Sequence, residues 1–226
     1  MKKMKFVNRK FCAKNGVPLN LSFKEFAAEN KKYYQEVEDY DWVWVADHFQ
    51  GLEAILHRAR ERQTLKLVKE FGKGKFLDAG CGTGLILRHL PADSVGLDIN
   101  PRNLSKAKIH APKAKLILGD IEKMPFNSRS FTTVICTDVL EHLLDPAKAL
   151  SEIFRVLSPK GRLIGSVPAQ NQIWRLRFLS STHPGEPYHR LYKKPEVEAL
   201  FGGQGKILEL KRECLWMNFF FVVEND

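Results

Sequence analysis

The stretch Lys75–Gly84, KFLDAGCGTG, decides the fold of this chain of 226 residues. It opens as a short apolar strand that ends at Asp78. Three glycines then follow at alternate positions, Gly80, Gly82 and Gly84. Glycine has no Cβ, so it adopts positive φ and lets the backbone approach a ligand closely. The apolar run Leu85–Leu90 predicts a helix after this turn, and the free N–H groups of that helix would face the ligand.

A second landmark is Asp98, which ends the segment SVGLD at the predicted second strand. An acidic residue about 20 positions after the first strand end suits hydrogen bonds from ribose hydroxyls. The spacing of the glycines then separates two kinds of cofactor. The dinucleotide fingerprint is G-x-G-x-x-G/A, whereas Leu85 stands at its last position here. The pattern therefore argues against a dinucleotide.

The pattern G-x-G-x-G, with Asp78 two residues ahead of it, resembles motif I of the class I S-adenosylmethionine-dependent methyltransferases. Three later segments strengthen the resemblance: Gly119–Phe126 (GDIEKMPF), Asp138–His142 (DVLEH) and Leu150–Leu163 (LSEIFRVLSPKGRL). The second is similar to the quinone-biosynthesis members, methyltransferase type 11. Together the matches cover residues 75–168, and they imply S-adenosyl-L-methionine as the cofactor and methyl transfer as the reaction.

The resemblance also implies a set of cofactor-binding positions, all at or near strand ends. These are Asp78, Gly80, Gly82, Gly84, Asp98, Ile99, Asp120, Ile121 and Thr137. Asp120 is expected near the adenine amino group, and the backbone of Ile121 against the adenine ring. The chemistry is consistent, since an amino donor suits a carboxylate and a flat ring suits an apolar wall.

Methyl transfer requires that donor and acceptor are aligned and that water is excluded. A hydroxyl acceptor gains from a base that titrates near neutral pH, and histidine is such a base. We therefore expect His142, just past the fourth strand, to be catalytic. His183 and His189 are weaker candidates on the acceptor side. The alternative for His142 is a ring that only packs or hydrogen-bonds at the start of a helix.

A metal ion is a separate alternative. Asp138, Glu141 and His142 are spaced i, i+3 and i+4, so on a helix they would share one face and could hold a divalent ion. The pattern resembles that of quinone-pathway O-methyltransferases, but with Asp where a longer acid is usual. Because many relatives carry the Glu–His pair without a metal, the sequence predicts no metal site.

Strands alternate with helices along the chain, which predicts an α/β fold with a Rossmann-like, doubly wound sheet. We expect seven strands, mostly parallel, with the last strand antiparallel as the family resemblance implies. A single domain is predicted, in which residues 1–74 form a helical extension, 75–168 the cofactor-binding core and 169–226 a substrate-side segment with closing strands. Ser22 and Glu25 predict a capping box for a helix over residues 22–36, and an apolar stripe predicts a long helix over 47–71.

The net charge is +10, and residues 1–32 carry nine Lys or Arg against two Glu. Two interpretations stay open: an arm for an anionic surface, either RNA or acidic lipid, and a solvated tail. The four cysteines are widely scattered, which favours free thiols in a reducing compartment. With no signal-peptide pattern and no long apolar run, the expected location is the cytoplasm.

The acceptor is expected to be a small, lipophilic molecule that is methylated at oxygen. Residues 171–181, NQIWRLRFLSS, interleave apolar residues with arginines and could form a substrate lid, a membrane-contact helix or a helix packed on the sheet. Trp42 and Trp44 belong either to helices that shape the substrate site or to ordinary core packing. The remaining alternatives are an RNA or protein methyltransferase and a cofactor-binding regulatory protein. The residues leave the oligomeric state open.

Overall fold

A computed structural model describes residues 22–37, 41–48, 51–171, 188–214 and 216–226. Seven strands form one sheet: β1 Phe76–Ala79, β2 Val95–Asp98, β3 Lys115–Leu118, β4 Phe131–Thr137, β5 Leu157–Pro168, β6 Lys206–Glu213 and β7 Asn218–Glu224. The α-helices of the described ranges are α1 Phe23–Glu36, α2 Trp42–His48, α3 Gly51–Phe71, α4 Pro101–His110, α5 Pro146–Val156 and α6 Lys194–Leu200. Short 3₁₀ helices lie at Leu87–His89 and Leu140–His142.

The strand order is β3-β2-β1-β4-β5-β7-β6. The strands β1 to β5 pair in parallel, and β7 runs antiparallel to both β5 and β6. The predicted seven-stranded, doubly wound sheet with an antiparallel last strand is therefore confirmed. The strand order reverses between β1 and β4, and ligands of such sheets bind at this switch point, beyond the carboxyl ends of the strands.

The central strands are apolar because helices cover both faces of the sheet. All four residues of β1 are buried, and β4 reads FTTVICT with Val134, Ile135 and Cys136 fully buried. One main core cluster joins these strands to α5, which contributes Leu150 and Ile153. A smaller cluster on the opposite face packs Leu67 of α3 against β5 and β7. This rigid sheet fixes the positions of the polar residues at its strand ends.

The predicted helix over Leu85–Leu90 is wrong. After Gly84 the chain makes turns and then a single 3₁₀ turn, Leu87–His89. Pro91 explains the early end, since a residue before proline is pushed out of the helical region. Leu90 accordingly has ψ 164°, an extended value. The cradle at the end of β1 is therefore a loop, and its N–H groups do not come from an α-helix.

The described residues contain the predicted N-terminal helices. The capping box at Ser22 and Glu25 is present and starts α1. Of the long helix predicted over 47–71, the described residues contain α3 from Gly51 to Phe71 and the end of α2 at His48. In the described ranges no helix has the length and apolar character that a membrane crossing requires.

Candidate functional site

A cavity of ≈ 310 Å³ lies beyond the carboxyl ends of β1, β2 and β4, with α1 and α3 along its other walls. It brings together nearly all the positions predicted from sequence: Asp78, Gly80, Gly82, Asp98, Ile99, Asp120, Ile121, Thr137 and His142. Gly84 is not part of the wall. It packs on α4, where a Cβ would lie 3.4 Å from the Cα of Ala107. Its place in the structure is therefore one of close helix packing beside the loop.

The loop after β1 has glycine at two positions with positive φ, and the space around these two positions differs. Gly80 has φ 82°, and a Cβ there would come within 2.4 Å of a methyl carbon of Val139. Gly82 has φ 51°, and a Cβ there would meet nothing within 4 Å. Positive φ strains any residue with a Cβ, so both positions favour glycine. The open space at Gly82 leaves room for a ligand against the backbone.

Asp98 ties this loop to the end of β2. One carboxylate oxygen accepts the Gly82 N–H at 2.8 Å, and the other accepts the Asn100 N–H at 2.8 Å. Asn100 in turn caps α4, because its side chain accepts the N–H of Arg102 at 2.9 Å. Asp98 is buried, and this burial raises the pKa of its carboxyl even though the hydrogen bonds oppose the shift.

Asp78 lies at the end of β1 and is 2% exposed. Burial, with a further contribution from the nearby charge of Asp98, raises the pKa of Asp78 to about 7. Two buried carboxyl groups in one wall make the cavity unfavourable for anions. A cationic ligand would favour their ionised forms, so the site selects positive charge.

Asp120, the predicted adenine contact, lines the same cavity and lies next to α1. Lys31 of α1 forms ion pairs with Asp120 and, at 2.9 Å, with Glu122. Asp120 also accepts the N–H of Glu122 at 2.9 Å, which fixes the orientation of its carboxylate. Ile121 is buried and supplies an apolar surface between these charges. Lys31 was not predicted from sequence.

His142 is held mainly from α1. Its Nδ1 lies 2.7 Å from the hydroxyl of Tyr34, and its backbone carbonyl accepts the side-chain N–H of Asn30 at 2.9 Å. The ring of His189 contacts it edge-on, with the ring centres 5.2 Å apart. The structure thus brings His142 and the weaker candidate His189 together at the edge of the cofactor cradle.

One prediction is wrong: no helix face is shared by Asp138, Glu141 and His142. Asp138 has φ 54°, and only a 3₁₀ turn follows it. Its carboxylate pairs with Arg60 and accepts hydrogen bonds from Ser166 and Asn218, both at 3.0 Å. The potential ligand atoms of Glu141, His142 and His189 do lie within 4.8 Å of one another, so this trio could hold a divalent ion. The prediction of no metal stays a prediction.

The spacing of polar residues on α3 indicates a polar helix face, which was not predicted from sequence. Its cavity-lining residues are spaced i, i+3, i+4 and i+7: His57, Arg60, Glu61 and Thr64. Such spacing places polar side chains on one helix face, just as the apolar stripe marks the other. Trp42 of α2 also lines the cavity, with its ring 4.6 Å from that of His57. Trp44 is exposed and stacks on His48.

Some buried oxygens in the cavity wall have no hydrogen-bond partner within the described part of the chain. Among them are Asn30 Oδ1, Thr83 Oγ1 and Asn103 Oδ1. A buried acceptor without a partner costs free energy, so such atoms in a cavity mark where a ligand donates. The ribose hydroxyls, the adenine amine and the ammonium group of S-adenosylmethionine are all donors. The residues present therefore fit this cofactor.

Several predicted features lie outside the described residues. These are residues 1–21 of the basic segment 1–32, and residues 172–187 of the acceptor-side segment, which include Trp174, Phe178 and His183. Tyr188, His189 and Arg190 are described, and the Arg190 N–H donates to the carbonyl of Glu141 at 3.0 Å. The end of the predicted substrate-side segment therefore contacts the residue next to His142.

The switch-point cavity, the glycine loop and the acidic strand end together define a nucleoside-binding α/β protein. Residues 77–165 match the family model described as a methyltransferase domain. This match confirms the predicted resemblance of the core to the class I S-adenosylmethionine-dependent methyltransferase family. The prediction of S-adenosyl-L-methionine as cofactor is confirmed at the level of this family.

Individual relatives differ in the methylated atom that their names give, carbon in one and oxygen in another. The 24-methylenesterol C-methyltransferase 3 of Arabidopsis thaliana is 32% identical over 144 residues, which are 56% of this chain and 40% of the relative. A ubiquinone biosynthesis O-methyltransferase of Cereibacter sphaeroides is 33% identical over 104 residues, 43% of this chain and 42% of the relative. The chain therefore spans less than half the length of these two relatives.

The fold also has solved counterparts. The N-methyltransferase NodS of Bradyrhizobium japonicum, in complex with S-adenosyl-L-homocysteine, superposes with a TM-score of 0.64. The alignment covers 88% of this chain and 98% of NodS at 15% identity. At that identity the likeness shows the shared fold alone.

The raised pKa of Asp78 predicts a pH dependence of cofactor binding. Only the ionised carboxylate attracts a cation, so affinity for S-adenosylmethionine should rise as pH increases through the pKa of about 7. Between pH 6.0 and 7.5 the dissociation constant should fall roughly five- to tenfold, because the ionised fraction of a carboxyl with a pKa of about 7 rises by that factor. Calorimetric titration measures this, and the Asp78→Asn variant should lack the dependence. Equal slopes in both proteins would show that Asp78 is not responsible.

Proposed function

We propose that this protein transfers a methyl group from S-adenosylmethionine to a small, lipophilic acceptor, at oxygen. The observation that carries the proposal is one cavity that is lined both by the predicted cofactor positions and by the His142 cluster. This cluster consists of Glu141, His142 and His189. Apolar side chains, among them Val139, Leu143 and Leu144, line the same cavity. The named substrates of the relatives, a sterol and an intermediate of ubiquinone synthesis, are consistent with an apolar acceptor.

Each wall of the cradle has a role in this proposal. The carboxylate of Asp98 accepts the ribose hydroxyls, and the backbone at Gly80 and Gly82 lies along the ligand. Asp120 accepts the adenine amine, and Asp78 attracts the positive charge of the methionine part. Bound S-adenosylmethionine supplies a methyl group on a positively charged sulfur, which is a good leaving group. The protein then has to align the acceptor and exclude water.

His142 is the proposed catalytic base. An acceptor hydroxyl loses its proton to the imidazole while the hydroxyl oxygen forms a bond to the methyl carbon and the sulfur–carbon bond breaks. Histidine suits this step because its pKa lies near neutral pH. The ring lines the same cavity as the predicted cofactor positions, so an acceptor beside it would lie near the bound cofactor.

Labelled methyl transfer tests this function. Protein incubated with methyl-labelled S-adenosylmethionine and a panel of lipophilic phenols and alcohols should yield labelled ethers, identified by mass spectrometry. The His142→Gln variant should lose about 10²–10⁴-fold in kcat, with cofactor affinity changed less than about twofold. His48→Gln is a matched control, because His48 is exposed on α2 and outside the cavity. Label on nitrogen or carbon would refute the oxygen assignment, and full activity of His142→Gln would remove His142 from catalysis.

The basic arm is the observation that supports the alternative of an RNA or protein acceptor. Residues 1–15 hold six Lys or Arg and none of the cofactor-binding positions predicted from sequence. On the leading proposal, deletion of residues 1–15 leaves transfer to a small acceptor unchanged. On the RNA alternative, the deletion weakens RNA binding and flattens its salt dependence. Titration of both forms with RNA at several salt concentrations separates them, and micromolar, salt-sensitive binding lost on deletion would favour RNA.

Two further parts of the proposal are the location of the protein and the choice of an enzyme over a regulatory protein. Cys81, Cys136 and Cys214 are free thiols in the structure, which supports the reducing, cytoplasmic location predicted from sequence. A regulatory protein that only binds the cofactor would keep the cradle but would need no base. The His142 cluster favours the enzyme, and the transfer assay decides between the two.

A further inference from the structure

The methionine part of S-adenosylmethionine carries a carboxylate as well as an ammonium group. Burial of an unpaired charge costs free energy, so a bound carboxylate needs a cation or several N–H donors close to it. The described cavity wall holds more carboxyl side chains than cationic ones, and carboxylates repel an anion. Its side chains with a permanent positive charge are Lys31 and Arg60. These two cations are therefore the candidates for a contact with the carboxylate.

The order of the strands separates these two cations. The neighbouring strands β3, β2, β1 and β4 end, in that order, at or just before Asp120, Asp98, Asp78 and Asp138. Lys31 forms its ion pairs at the β3 end, on the expected adenine side. Arg60 pairs with Asp138 at the end of β4, the strand next to β1 and Asp78. The ammonium and the carboxylate of the methionine part sit on the same carbon atom. An ammonium near Asp78 therefore brings the carboxylate to the end of the sheet that holds Arg60.

The Arg60 guanidinium is held in place and keeps N–H groups for a ligand. One of its five N–H groups pairs with Asp138, whose other oxygen accepts hydrogen bonds from Ser166 and Asn218. Another N–H donates to Nδ1 of His57 at 2.6 Å, because a guanidinium cannot accept a hydrogen bond. Within the described part of the chain, these contacts leave three N–H groups of a side chain that lines the cavity. Such groups form charge-assisted hydrogen bonds with carboxylates.

We propose that Arg60 is a specificity-determining residue that binds the carboxylate of S-adenosylmethionine and so selects this cofactor over its decarboxylated form. This inference rests on the proposed function for the identity of the cofactor. Asp78 attracts the positive charges of the methionine part, while Arg60 offsets its negative charge. The decarboxylated form presents the same adenine, ribose, sulfonium and ammonium groups but gives Arg60 no partner. Because two contacts already hold the guanidinium, little conformational entropy is lost when the carboxylate binds.

Two ligands that differ only in this carboxylate test the assignment. Calorimetric titration of the full chain measures the dissociation constants of S-adenosylmethionine and of decarboxylated S-adenosylmethionine. The wild type should prefer S-adenosylmethionine, and in Arg60→Gln this preference should fall at least about tenfold, because the charge-assisted hydrogen bonds are lost. Affinity for the decarboxylated ligand should not fall, which also shows that the variant folds. Arg62→Gln is a matched control that should keep the preference, because Arg62 is exposed on the same helix and outside the cavity wall.

An unchanged preference in Arg60→Gln would overturn the proposal, and so would an equal loss of affinity for both ligands in a folded variant. The wild type decides even if Arg60→Gln does not fold, because decarboxylated ligand bound at least as tightly as S-adenosylmethionine refutes the selection. The two proposals fail separately. Wild-type protein that binds neither S-adenosylmethionine nor S-adenosylhomocysteine refutes the cofactor. Binding of both, with a preference that does not depend on Arg60, refutes only the role of this arginine.

Discussion

The carboxylate of Asp98 is the contact on which the rest of the site depends. Its two oxygens accept the N–H groups of Gly82 and Asn100, each at 2.8 Å. One bond holds the loop after β1, and the other holds the chain as it enters α4. Charge-assisted hydrogen bonds of this kind are about twice as strong as neutral ones. Two adjacent strand ends are thereby fixed in one geometry, and the cavity wall between them is preorganised.

Placing Asp98 and Asp78 in this wall costs stability, because both carboxyl groups are buried. The pKa values of both groups are raised because burial disfavours the ionised carboxylate. The arrangement becomes favourable when a ligand brings positive charge and hydrogen-bond donors. Functional sites are where such perturbed groups concentrate. A cofactor that carries a sulfonium and an ammonium group supplies what this wall lacks, whereas a dinucleotide with its pyrophosphate would add negative charge.

The sequence predicted the sheet and most of the cofactor wall because both depend on local patterns. The glycine spacing indicated the positive φ that Gly80 and Gly82 adopt, and the acidic residues marked strand ends that line the cavity. The helix after Gly84 failed because Pro91 acts on Leu90 and stops helix growth. The helical face proposed for Asp138 failed for a tertiary reason, since Arg60, Ser166 and Asn218 engage its carboxylate.

What the sequence did not reveal is the contribution of α1. Asn30, Lys31 and Tyr34 act on residues about 90 to 110 positions away, and no local pattern encodes such contacts. The polar face of α3 was readable from its spacing, because His57, Arg60, Glu61 and Thr64 repeat with the helical period. The helical extension thus supplies two walls of the cavity and the partners of His142, in addition to covering the sheet.

The central claim is that the strand-end cavity is built for S-adenosylmethionine and not for a dinucleotide. Calorimetric titration of the full chain with S-adenosylhomocysteine, and separately with NAD, tests it most directly. The account predicts saturable binding of S-adenosylhomocysteine at one site per chain and no measurable heat with NAD. Saturable binding of NAD, with no response to S-adenosylhomocysteine, would contradict it.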